Sequence, residues 1–307
     1  MSSGLEVIYD KPYDVIVVGG GAAGVGVAIA LKDAGIENFI VLERHTVGSS
    51  FALWPAETRF ITPSFTTNSM GMLDLNSVTI GTSPAYSMMV EHPTGEHYAA
   101  HLNQVAKLFE LPIREMTNVL RVTKIDDEFV IDTEDEILRT KNLVWAGGEF
   151  QYPNINVFEG SELCLHTAMI DSYEDLIGDE FFIIGGFESG IDASYHLASR
   201  GKKILLFDRE CPWSISGSDP SVSLSTYSLE RMRTEHFDNN VELHPNTSVD
   251  SVALSNGVYE IITSNENRFY TDTQPLLAAG FKGSHKIVEE LFEHRDDGFP
   301  LLNENDE

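Results

Sequence analysis

At 307 residues, 42% of them apolar, the chain is long enough for two domains and has the composition of a globular protein. Its net charge of −28, from 48 acidic against 20 basic residues, argues against nucleic acid and anionic membrane surfaces as partners, because both repel such a surface. No apolar run reaches bilayer length, the start has no basic-then-apolar leader, and two cysteines, Cys164 and Cys211, suit a reducing compartment. The expectation is a cytoplasmic protein with a small-molecule substrate and no membrane partner; a homo-oligomer is left open.

After a polar lead-in over residues 1–13, Val15 to Val18 read as a buried parallel strand. Gly19, Gly21 and Gly24 follow at the spacing of a dinucleotide turn, then an apolar helix from Val25 to Leu31 and a second strand, Phe39 to Leu42, ending on Glu43. Each glycine has a reason. Gly19 makes the turn, Gly21 lets a pyrophosphate reach the backbone, and Gly24 lets helix and strand pack closely. The helix N-terminus presents unpaired N–H groups to the phosphates, and Glu43 can take ribose hydroxyls.

Thr58 to Asn76 is a long Thr/Ser/Asn/Met-rich loop, and the stretch from Thr62 to Thr82 is a candidate pocket wall. Gly95 to Leu111 has helical spacing. His97 and His101 lie one turn apart on it, but no cysteine cluster accompanies them and no metal is expected. Val119 to Ile125, Glu128 to Thr133 and Glu136 to Arg139 alternate like an antiparallel meander, and Leu143 to Trp145 form a separate short strand before Ala146, Gly147 and Gly148.

The plan then repeats. Glu180 to Ile184 is a strand and Gly185, Gly186, Phe187, Glu188, Ser189 and Gly190 form a turn. Ile191 to Ser199 is a helix, and Lys203 to Phe207 a strand ending on Asp208. Phe187 stands where the middle glycine belongs. Asp208 favours NADH by bonding ribose hydroxyls and repelling a 2′-phosphate, whereas Arg209 beside it could pair with that phosphate. A second meander is expected over Val241 to Leu243, Val249 to Leu254, Tyr259 to Thr263 and Arg268 to Tyr270. The expected fold is therefore α/β. It has two Rossmann-like dinucleotide-binding domains, each with a small antiparallel meander, the second inserted into the first. The expected boundaries are 1–165, 166–275 and a return to the first domain over 276–307.

With both turns placed, the chain resembles flavoproteins of the thioredoxin reductase-like superfamily, and most closely small bacterial flavin-containing monooxygenases of the CzcO-like kind. The stretch GSSFALWP, Gly48 to Pro55, ITPSF, Ile61 to Phe65, and the small-residue turns WAGGEFQYP and LLAAGFKG carry the resemblance. It implies FAD on the first turn, with Gly19, Gly21, Ala22, Ala23, Gly24, Glu43, Arg44, Ser50, Trp54, Val122, Ala146, Gly147, Gly148 and Gly280 around it. It implies NAD(P)H on the second, with Gly185, Gly186, Glu188, Ser189, Gly190, Asp208 and Arg209. The implied activity is transfer of hydride from NAD(P)H to FAD and on to oxygen or another acceptor.

Three departures bear on that activity. In the monooxygenase signature Phe-x-Gly-x-x-x-His, Phe158, Gly160 and His166 are present with two extra residues between them. Relatives that reduce thiol disulfides carry a cysteine inside the first turn, where this chain has Ala23. No stretch resembling the relatives' last flavin-contacting segment follows Phe281, so either the chain is a truncated form or flavin binding is incomplete. A disulfide or quinone-type reductase and a non-catalytic nucleotide-binding protein stay open. His166 is the only catalytic candidate, with a plain domain-junction histidine as the alternative.

Overall fold

The computed structural model describes residues 11–65, 74–296 and 298–304. The first apolar run is β1 (Tyr13–Val18), parallel to β2 (Phe39–Leu42) with Val15 opposite Phe39 and Val18 opposite Leu42. Both faces of the pair are covered, which is why the runs are continuously apolar rather than alternating. On one face α1 (Ala22–Asp33) packs Ala28 against Val15, Val17 and Val41. The outer side of α1 meets α4 (Gly95–Leu108) through Val25, Ile29, Leu102 and Val105. Two short helices, α2 (Ser49–Ala52) and α3 (Pro84–Met88), lie between them in sequence. β3 (Ile113–Arg114) extends the parallel sheet beyond β2.

The sheet then continues through β4 (Val119–Ile125), β5 (Glu128–Thr133) and β6 (Ile137–Trp145) in the order β3-β2-β1-β6-β5-β4. This corrects the expectation of a separate meander and a separate short strand: 137–145 is one strand. Its first half pairs antiparallel with β5, Leu138 opposite Ile131, and its second half pairs parallel with β1, Trp145 opposite Val18. Thr140 makes the passage tolerable. Its hydroxyl donates to Asn142 O at 2.8 Å and sits 3.2 Å from Tyr13 O, so the buried join keeps its polar groups bonded.

The second unit comprises β7 (Leu165–His166), β8 (Glu180–Ile184), α5 (Glu188–Ser199), β9 (Lys203–Phe207), α6 (Thr226–Met232), α7 (Glu235–Asn240) and β10 (Val241–His244). It continues with β11 (Val249–Ser255), β12 (Val258–Thr263), β13 (Arg268–Thr271) and β14 (Leu276–Leu277). Its parallel sheet runs β10-β9-β8-β14-β7, and β11-β12-β13 stand as a sheet of their own. The expected place of Val241 to Leu243 in the meander is corrected: this stretch pairs parallel with β9, Val241 opposite Ile204. Here the meander and the parallel strand do stay separate. Pro275, which has no N–H to give to a ladder, stands immediately before β14.

β14 lies in the second sheet, so the return to the first unit begins later than position 276. It is visible at Ser284, whose hydroxyl accepts from Trp145 Nε1 at 3.1 Å, and at Val288, buried with Ile16, Val18, Ile40 and Leu42. The two units are also tied by the loop after α2. Glu57 accepts from the Ser172 hydroxyl at 2.8 Å and pairs with Arg200 at 2.9 Å, and the Thr58 hydroxyl donates to Asp192 Oδ2 at 2.6 Å.

A Cβ placed on Gly190 would overlap the carbonyl oxygen of Gly185, which is backbone and cannot swing aside. Gly190→Ala should therefore cost about 1–3 kcal/mol in a urea unfolding series, by pushing α5 off β8. Gly21→Ala, where nothing lies within 4 Å of the added carbon, should stay within about 0.5 kcal/mol of the parent.

Candidate functional site

The two glycine turns are built alike. Gly19 and Gly185 both have positive φ, +110° and +101°, and a Cβ on either would overlap the carbonyl of Ala146 or Ala278. Gly24 and Gly190 both lie against the carbonyl that opens their own turn. Gly21 and Phe187 precede the two helices with nearly the same backbone, φ/ψ −80°/−166° and −83°/−162°. In each unit an acid ending the next strand holds the turn. Gly20 N–H donates to Glu43 Oε2 at 2.6 Å, and Gly186 N–H donates to Asp208 Oδ2 at 2.7 Å. Spare acceptor capacity goes to the following loop: His45 N–H to Glu43 Oε1, and Glu210 and Cys211 N–H to Asp208 Oδ1.

Around the first turn lie two adjoining cavities. One, of about 420 Å³, is lined by Gly19, Glu43, Arg44, Ser50 and Gly147, together with Thr117, Asn118, Val119, Phe150 and Tyr152. The other, of about 630 Å³, runs from Gly19, Gly21, Ala22 and Ala23 past Trp54, Ala146, Gly147 and Gly148 to Glu188, Ser189, Asp192 and Arg231 on α5 and α6. Both are of the size that takes a small molecule or part of a dinucleotide. One wall of the larger cavity is aromatic: Trp54 lies 5.3 Å from Phe51 and 5.0 Å from Phe60 between ring centroids. The first turn fits a dinucleotide on its own geometry, since Gly21, which lines the larger cavity, is the turn glycine whose Cβ would meet nothing.

Several expected residues are placed elsewhere. Val122 is buried in the core with Val119, Ile131 and Leu138 rather than in either cavity. Gly24, Gly185, Gly186, Gly190 and Asp208 shape the turns without lining the cavities. Arg209 is paired with Glu210 at 3.1 Å, and Gly280, with φ +71°, offers its carbonyl to Asn154 N–H. His166, 1% exposed, does not line the cavities: Nδ1 accepts Ala168 N–H, and Nε2 lies 3.0 Å from Gly280 O. It clasps β7 to the turn after β14. His97 and His101 are likewise occupied locally, by the N-cap of α4 and by the Ser87 hydroxyl. Of the loop expected to line the pocket, residues 66–73 lie outside the described residues.

Sequence reasoning named Glu188 but missed the polar stripe it begins, with Asp192 and His196 on α5 and Arg200 at its C-cap. Asp192, 7% exposed, receives the Thr58 hydroxyl and ion-pairs with Arg231, whose guanidinium lies over the rings of Tyr195 and Tyr227. Burial alone would raise the Asp192 carboxyl, but His196, Arg231 and Thr58 outweigh it and hold it below the ordinary carboxylate range. The i, i+4 spacing of these four residues was the available clue.

The chain belongs to the pyridine nucleotide-disulphide oxidoreductase family. It matches that family over residues 16–307; the family is flavin-dependent, and its members use FAD and NAD(P)H. It is 31% identical over 201 residues, 61% of this chain, to the uncharacterized oxidoreductase CzcO of Bacillus subtilis, and spans 52% of that protein's length. It is 22% identical to the bacilliredoxin reductase Bdr of Bacillus subtilis over 94% of this chain and 84% of that one. The chain thus spans about half the length of the CzcO relatives. Among solved structures, the bacillithiol disulfide reductase Bdr (YpdA) of Staphylococcus aureus superposes with a TM-score of 0.75 at 20% identity, covering 96% of this chain and 86% of that one. A flavin-containing monooxygenase of Stenotrophomonas maltophilia gives 0.70 at 16% identity, with 96% and 86% covered. These show the two-domain Rossmann fold. Among the described residues, no helix is long and apolar enough to cross a membrane.

Burial lowers the pKa of His166 and of His101 below the ordinary 6.5. Both are therefore protonated more readily in the unfolded chain, and stability falls as pH drops below about 6.5 until the folded-state values are reached. Denaturant titrations from pH 7.5 down to 5.5 should show that loss, with a slope of at most about 1.4 kcal/mol per pH unit for each histidine. The share of His166 should disappear in His166→Gln.

Proposed function

We propose that this chain is an FAD-dependent oxidoreductase that takes hydride from NAD(P)H and passes it to oxygen or another small acceptor, monooxygenase-like in type. The observation carrying the proposal is that the larger cavity touches the first glycine turn on one side and the start of α5 on the other. A flavin lying from Glu43 past Gly21 would bring its ring into that cavity, facing the second turn. When bound, FAD supplies the two-electron chemistry, and the protein supplies position and electrostatics.

The residues present would serve that role as follows. Glu43, already bonded to Gly20 and His45 N–H groups, keeps a carboxylate edge for ribose hydroxyls, with Thr117 to Val119 beyond it at the far end of the smaller cavity. The N-terminus of α1 has no acid in its first turn, so its positive dipole end is available to phosphate. Trp54, Phe60 and Phe281 line the larger cavity and would shield a bound ring from water. We place the flavin domain before β7 and the nicotinamide domain from β7 through β14, with the chain rejoining the first domain afterwards.

Direct reaction at the flavin is favoured over a protein thiol relay. Cys164 is buried and its thiol is pushed up to about 12, chiefly by burial, and neither it nor Cys211 lines the two cavities. The stretch from Phe158 to Gly160 is held by packing: Glu159 O accepts Val252 N–H at 2.9 Å, and a Cβ on Gly160 would overlap the carbonyl of Val252.

Purified protein should carry a visible flavin band, or gain one on reconstitution, and the band should bleach on anaerobic addition of NADH or NADPH. A protein that takes up no flavin would sink this reading. Gly21→Phe, which copies the second turn's residue into the first, should cut flavin content at least about tenfold while the unfolding midpoint holds.

A further inference from the structure

The two turns share a backbone but not a mouth. At the first, the residues facing the ligand side are Gly21 and Ala22, and the atoms nearest a Cβ on Gly20 are those of Glu43. At the second, the matching positions hold Phe187 and Glu188, and a Cβ on Gly186 would collide with the ring of Trp213 before anything else. Trp213 belongs to the loop that Asp208 holds through the Glu210 and Cys211 N–H groups. Phe187 and Trp213 both pack onto the core cluster of Ile191, Leu197 and Leu206.

Glu188 is the sharper difference. It sits in the first turn of α5, where a pyrophosphate would seek the helix's positive end. Its carboxylate accepts from Ser225 N–H at 2.5 Å, from the Ser225 hydroxyl at 3.1 Å, and from the Ser228 hydroxyl. Ser225 is itself the N-cap of α6, so one internal anion serves the starts of two helices. A bound pyrophosphate would bring two further negative charges next to this carboxylate in a part-buried setting, where like charges repel strongly.

We infer that the second dinucleotide turn is self-occupied. Glu188, with Phe187 and Trp213, fills the place of the nucleotide's pyrophosphate, and NAD(P)H binds only by displacing the chain's own side chains. These three residues set the affinity for the pyridine nucleotide, which deepens and rests on the reading of the second turn as the nicotinamide site. The requirement is steric at Phe187 and Trp213 and electrostatic at Glu188, so the contributions separate by mutation.

The test is calorimetric titration of the holoprotein with NAD+ and, separately, NADP+, the oxidised forms that bind without reducing the flavin, for wild type, Glu188→Ala, Glu188→Gln and Phe187→Gly. Binding heat reports on the second turn alone, and flavin content is read apart from it in the visible band. A failed flavin assignment is therefore distinguishable from a failed inference. The expected result is binding at least about tenfold tighter in Glu188→Ala and in Phe187→Gly than in wild type for one or both nucleotides. Glu188→Gln, which loses the charge but can still accept from Ser228, should fall between wild type and Glu188→Ala. Equal affinities across the four proteins would overturn the inference. So would weaker binding in Glu188→Ala, which would make that carboxylate a ligand contact. Absence of binding in all four would overturn it as well, since other groups would then close the turn.

Discussion

In each unit a carboxylate at the end of one strand accepts the N–H of the second residue of a glycine turn on the neighbouring strand, Glu43 from Gly20 and Asp208 from Gly186. A half-hidden carboxylate without such donors would be costly, so the bond is stringent about where the turn can be. Once the turn is anchored, the helix that follows must start beside it, and the glycine at its third residue, Gly24 or Gly190, must lie against the opening carbonyl. Cavity, helix dipole and aromatic wall take their positions from that anchor.

Because the anchor is duplicated, differences between the two turns stand out as differences of side chain alone. At the first turn small residues leave the backbone N–H groups facing a cavity. At the second, an aromatic ring and an acid occupy the equivalent positions, and that acid opens the polar stripe of α5. Further along the stripe, Asp192 and Arg200 accept and give bonds to Thr58 and Glu57 of the first unit. One helix thus carries both the second turn and the seam between units.

Much of this was legible beforehand because it depends on local rules. Buried parallel strands are continuous apolar runs, and dinucleotide turns put glycine at set intervals, so both βαβ units and the two strand-end acids could be read from spacing. What escaped reading depends on long-range pairing. Nothing local distinguishes residues 137–145 as one strand from two, since the partner changes midway from β5 to β1. Val241 to His244 alternates no less like a meander strand than a parallel one, and only the edge offered by β9 decides it. Val122 illustrates a third limit, because alternation in a strand tells that a side chain is buried but not whether its neighbours are core or cofactor. The role of Glu188 depended on Ser225 and Ser228, some forty positions away.

The shared strand β6 also governs how the molecule comes apart. In the first unit one stretch of backbone is laddered to the hairpin at one end and to the nucleotide-binding sheet at the other. Opening either end therefore frays the other, and amide protons across the whole six-stranded sheet should exchange with solvent as a single cooperative block. The second unit lacks that continuity at Pro275. Its three-stranded sheet can open while β8, β9 and β14 remain protected, so the two halves of an internally repeated plan would differ in the size of their unfolding units.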